Sequence, residues 1–118
     1  MSIQERALDM GRMVGQSEEY QGLKRANERL MAEAELRTGL ERLRTLQIQL
    51  GEQMDRGQQP TPEQQQEVDG LVGKLQAHST YQAVVAAQAN FDKLMYKIND
   101  WILDGIKKGA ESRIITLG

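Results

Sequence analysis

Chemistry in this chain would have to start from its one histidine, His78, since imidazole alone has an ordinary pKa that lets it exchange a proton near neutral pH. A general base needs a substrate or nucleophile within reach and a third group to orient it. His78 instead lies at an expected helix junction, where a capping or surface role is the plain reading. Two carboxylate pairs are the next candidates, Glu18 with Glu19 and Asp100 with Asp104. Hard cations want several converging oxygens, and neither pair supplies enough without help, so solvated helix charges are the simpler account. The chain has no cysteine, which removes disulfides, thiolate metal sites and iron–sulfur ligation. It also lacks H-E-x-x-H, a glycine-rich phosphate loop and calcium-loop spacing. These residues predict a protein that is not an enzyme and has no cofactor or metal.

Binding chemistry is the alternative. Lys24, Arg25 and Arg29 form one small basic patch and Lys93 with Lys97 a second. Glu28 and Glu33 interleave with the first, which favours screened surface pairs. A formal net charge of -2 gives no strong field towards a polyanion. Direct binding of nucleic acid is therefore the second reading; Arg25 and Arg29 are nominated first as contacts for a protein partner. The aromatics Tyr20, Tyr81, Phe91, Tyr96 and Trp101 follow helical spacing more than that of a base-stacking platform. Charges at Glu5, Arg6, Asp9 and Arg12 exclude the apolar core of a signal peptide, and no window has the length of a membrane span, so a cytoplasmic protein without membrane insertion is expected.

Helices must position all of these groups. At 118 residues and 13.3 kDa the chain is one domain by size. Ile3, Ala7, Met10 and Val14 mark a short amphipathic helix ending near Gly15. Ser17 is an N-cap followed by Glu18 and Glu19, whose charge suits the first turn. No proline interrupts the chain until Pro60, which predicts one helix from Ser17 to near Arg56, about 60 Å long. A break at Gly39 is the competing arrangement. D-R-G-Q-Q-P-T-P-E-Q, residues 55–64, is a turn in which Thr61, Pro62 and Gln64 form a capping box. A medium helix then carries Val68, Leu71, Val72 and Leu75 to about His78, and Ser79 or Thr80 caps a last helix reaching Lys108. The expected fold is all-α: a bundle of short, long, medium and long helices built around a long helical hairpin, with a domain over 1–110 and a tail over 111–118.

The apolar spacing suggests that one copy is not enough. In the last helix Tyr81, Gln88, Met95 and Ile102 alternate with Val84, Phe91, Ile98 and Gly105 in a seven-residue repeat, widened on one flank by Leu94 and Trp101. In the long helix Leu23 and Leu30 are seven apart, then Leu36 follows after only six, which rotates the stripe by about 100°. A compact monomer of this size is about 35 Å across, so a helix of about 60 Å overshoots it. Leu36, Leu40, Leu43, Leu46, Leu50 and Met54 are thus expected to meet a second copy, as a homodimer or a higher homo-oligomer. In the tail, Ile114, Ile115 and Leu117 are apolar enough to dock, either on the bundle or on a partner.

The order of features resembles the YlbF/YmcA family of bacterial regulators, with its YheA-like members. The resemblance rests on S-E-E-Y at Ser17–Tyr20 followed by Leu23 and Ala26, Q-x-Q-L at Gln47–Leu50, A-x-x-x-F at Ala87–Phe91 and I-N-x-x-I at Ile98–Ile102, and covers about residues 5–106. It implies an all-α, self-associating, cytoplasmic protein with no catalysis of its own. Family members are accessory factors that assemble with one another and with a further partner, affecting competence, sporulation and biofilm formation and acting on messenger RNA processing through a ribonuclease. Some members carry a cysteine-bearing tail linked to iron–sulfur clusters; this chain ends in R-I-I-T-L-G without cysteine, so that cluster does not carry over.

Overall fold

The computed structural model describes the backbone of residues 2–117 and the side chains of residues 2–111. It contains α1 (Ile3–Gly15), α2 (Glu18–Ala32), α3 (Ala34–Asp55), α4 (Pro62–Ala77) and α5 (Ser79–Leu117), with no strand among the described residues. The expected long second helix is two helices. The break falls at Glu33, which is extended at φ -89 and ψ 107, and Gly39 continues undisturbed inside α3. At the other end, the backbone of α5 stays helical to Leu117, past the stop expected near Lys108. No proline follows, and the glycines at 105 and 109 each cost a helix only about 1 kcal/mol. The side chains of Ile114, Ile115 and Leu117 lie outside the described residues.

Three junctions share one hydrogen-bond plan. At Ser17, Glu33 and His78 the backbone turns extended for the capping residue, whose N–H bonds back to the carbonyl three residues earlier: Val14 at 3.0 Å, Leu30 at 3.2 Å and Leu75 at 3.1 Å. The capping carbonyl then accepts from the N–H four residues on, opening the next helix. In each case that same residue also reaches back with its side chain to a carbonyl freed at the preceding helix end. Gln21 donates to Gly15 at 2.8 Å, Arg37 to Met31 at 2.9 Å and Gln82 to Gln76 at 2.9 Å. The plan satisfies a freed carbonyl of the ending helix with the side chain of the residue whose N–H opens the next one.

The α3–α4 turn uses local chemistry instead. Gly57 takes φ 78, the left-handed conformation open to glycine, and its N–H bonds to Met54 while that of Gln58 bonds to Gln53, closing α3 in a Schellman motif. Thr61 and Gln64 then form both bonds of the capping box, at 3.1 and 3.0 Å.

The helices pack as two antiparallel pairs. Leu30 lies with Tyr81 and Val84 while Tyr20 meets Phe91 edge-on at 5.7 Å, so α2 runs against the first half of α5. Leu36 with Leu75, and Arg42 with Glu67, align α3 against α4. The breaks at Glu33 and His78 therefore stand at the same level, and the core cluster of Leu30, Leu36 and Leu75 spans both. This resolves the six-residue step in the leucine spacing: the break resets the helix phase, and Leu30 and Leu36 face one core. The body is long, 69 × 37 × 21 Å, with a radius of gyration of 21.7 Å against about 13 Å for a compact chain of this length.

Candidate functional site

The polar centre of the molecule lies where the two breaks meet. Thr80 is the most deeply buried polar residue described, 1% exposed, and its hydroxyl donates to Glu33 Oε1 at 2.6 Å. The other carboxylate oxygen, Glu33 Oε2, lies 3.2 Å from His78 Nε2. His78 Nδ1 accepts the Thr80 N–H at 3.1 Å. His78 rather than Ser79 or Thr80 is thus the cap of α5. Glu33, His78 and Thr80 bring the two breaks together. Among the described residues, no cluster of three or more His, Cys, Asp or Glu side chains converges on a metal-sized site.

The stripe predicted to meet a second copy is largely used within the chain. Leu36 and Leu46 are buried, Leu40 and Leu43 pack on the same core, and Leu50 is half-buried. Only Met54 stands free, 61% exposed. The cause is α4, which lies along α3 and covers it, tied on by Arg42 Nε to Glu67 Oε1 at 2.7 Å. That hydrogen bond from Arg42 holds the Glu67 carboxyl below its ordinary value.

The uncovered apolar surface is elsewhere. No α1 side chain is buried, although Ile3, Met10, Met13 and Val14 belong to one broad face. The backbone of α1 approaches only α2 closely, which leaves grooves between it and α5. One, of about 700 Å³, is lined by Met10, Met13 and Val14 on one wall and Leu94, Ile98 and Trp101 on the other. A second, of about 540 Å³, lies on the far side of the same α1 ridge, against Phe91, Met95 and Ile102. From Trp101 to Glu111 every α5 side chain is exposed, including Ile102, Leu103 and Ile106. The seven-residue repeat of α5 and its flank of Leu94 and Trp101 run through this face.

The basic residues divide. Arg25 joins Lys93 and Lys97 in a groove of about 820 Å³ between α2 and α5, with Glu18 and Glu19 beside Arg25 on the α2 wall. Lys24 lines a shallow apolar-edged depression with Tyr20, Leu23 and Met31 instead, and Arg29 is exposed outside both grooves. The mixed charge of the larger groove suits a polar protein surface better than a phosphate backbone.

Comparison with known proteins agrees with this architecture. Residues 3–107 match the family described as "Control of competence regulator ComK, YlbF/YmcA". A "UPF0342 protein" from Leuconostoc citreum (strain KM20) is 22% identical over 100 residues, which is 85% of each chain. Among solved structures, that of Bacillus subtilis RicA in complex with RicF superposes with a TM-score of 0.77 at 15% identity, covering 92% of this chain and 96% of that one. A protein of unknown function (DUF964) from Bacillus stearothermophilus gives 0.64 at 17% identity, covering 89% and 92%. Both structures share the helical fold.

Proposed function

The chain belongs to the YlbF/YmcA family, and on that premise we propose that it is a non-catalytic helical adaptor that regulates by protein–protein contact. The observation that carries this reading is the amount of surface left open. The chain exposes 9347 Å², whereas a compact monomer of its mass exposes about 6,450 Å². Many of the exposed apolar side chains, among them Ile3, Met13, Trp101, Ile102 and Ile106, lie on α1 and the distal half of α5, where partners are expected. Self-association, contact with related helical regulators and, through them, with a ribonuclease in messenger RNA processing fit this surface and the family. The solved complex of RicA with RicF is a relative's example of such pairing. No helix among the described residues is long and apolar enough to cross a membrane, consistent with work in the cytoplasm.

The test is recovery of partners on a tagged copy from its native cells, with and without nuclease. Nuclease-resistant recovery of helical regulators or a ribonuclease is the expected result. Recovery that vanishes with nuclease would move the function to direct RNA contact, with Arg25, Lys93 and Lys97 as the residues to replace.

A further inference from the structure

We infer that the molecule bends at the level of Glu33 and His78, the end made of α1, α2 and α5 turning as a body against the α3–α4 pair. Glu33, His78 and Thr80 form the clasp that sets the angle between the two ends. This device goes beyond the adaptor reading and does not depend on it. The chain passes from α2 to α3 and from α4 to α5 through one extended residue each, Glu33 at φ -89 and ψ 107 and His78 at φ -83 and ψ 128. Hinges are built from such residues at the ends of elements, whose φ and ψ can change while the helices on either side stay intact. Away from the breaks no close backbone approach ties the two ends together: among the described residues, α2 stays clear of α4 and α3 stays clear of α5.

Two kinds of contact cross this level, and they resist bending differently. Leu30, Leu36 and Leu75 pack across it, but apolar contact is non-directional and tolerates a change of angle that keeps the surfaces together. Hydrogen bonds are directional. The Thr80 hydroxyl donating to Glu33 Oε1 at 2.6 Å, and His78 Nε2 at 3.2 Å from Glu33 Oε2, fix one break against the other. The Glu33 carboxylate is available for this because the residue opens α3 with its backbone carbonyl and gives the helix no side-chain cap. Local sequence does not set the angle, since Ala32 and Ala34 beside Glu33 are good helix formers without turn chemistry. Opening the clasp changes the angle at which α1 and the distal half of α5 are carried relative to α3 and α4.

Spin-label distances measured by double electron–electron resonance on the whole chain read the hinge directly. The chain has no cysteine, so an introduced pair is labelled alone. Glu52→Cys with Ala89→Cys spans the hinge, and Asn27→Cys with Ala89→Cys lies within one end; all three positions are exposed. Thr80→Val should shift and broaden the spanning distance and leave the distance within one end as it is in the parent. Glu33→Ala removes both bonds of the clasp at a part-exposed residue and should have the same effect. A spanning distance that neither shifts nor broadens in either variant overturns the inference. An equal change within one end also overturns it, because the whole structure would then be loosening. So does loss of the helical circular dichroism in both variants, since the clasp would then hold the fold and not an angle.

Discussion

The α3–α4 end and the α1–α5 end of this molecule contain similar amounts of apolar sequence but use it differently. At the first, a hairpin closed by a Schellman turn and a capping box lays α4 along α3, and leucines on both helices reach one core. At the second, α1 is shorter than the stretch of α5 it would have to cover, and Trp101, Ile102 and Ile106 stay in water. A leucine-rich helix is thus no evidence of an interface until the chain's own helices have been counted against it.

The contrast can be broken most strongly from the closed end. Leu36→Ala or Leu46→Ala removes a side chain at 4% or 2% exposure and should destabilise the monomer by about 2–5 kcal/mol, read from urea unfolding. The same truncation at Ile102 should change stability by less than about 0.5 kcal/mol at concentrations too low for association. Equal losses at both ends would remove the distinction.

The polar clasp comes next. Thr80→Val keeps the shape and deletes the hydroxyl that donates to Glu33, so it should cost about 1.5–3 kcal/mol, the range for a hydrogen bond to a charged group. A double-mutant cycle with Glu33→Gln should show strong coupling; additive losses would mean that the two kinks are held in register by packing alone. Thr61→Ala, which opens the capping box of α4, should cost about 1 kcal/mol.

The smallest effect is one of pH. The Glu67 carboxyl is held below its ordinary value of 4.5, first by the hydrogen bond from Arg42. A depressed carboxyl stabilises the fold above its unfolded value and loses that contribution as pH falls through the folded one. Acid titration should therefore loosen α4 from α3 slightly below about pH 4.5, and Glu67→Gln should abolish that part of the pH dependence. The pair is exposed, so the difference will be small.

Local signals in the sequence were legible wherever a single residue type does the work. Ser17, Thr61, Pro62 and Gln64 mark helix starts by their own side chains, and the structure has them in those roles. The break at Glu33 has no such marker, because Ala32, Glu33 and Ala34 carry no turn chemistry and the stabilising partners, Thr80 and Arg37, come from elsewhere. Its trace was present in the six-residue step from Leu30 to Leu36, a phase change that only a break can reconcile with one core. The expected self-contact through Leu36, Leu40, Leu43, Leu46, Leu50 and Met54 assumed an unbroken helix too long to cover, and the break together with α4 removes that premise. The broad apolar face of α5 was legible as periodicity. Which part of it would lack a partner within the chain depended on the lengths of α1 and α2 in space.

Amide hydrogen exchange on the chain alone and with a recovered partner bound tests the central claim most directly. The account predicts that protection in α3, α4 and the first half of α5 is the same in both, while α1 and the stretch from Ile98 to Glu111 become protected only when the partner is bound. Protection that rises on binding along α3, centred on Met54 and leaving α1 and Trp101 unchanged, would contradict it.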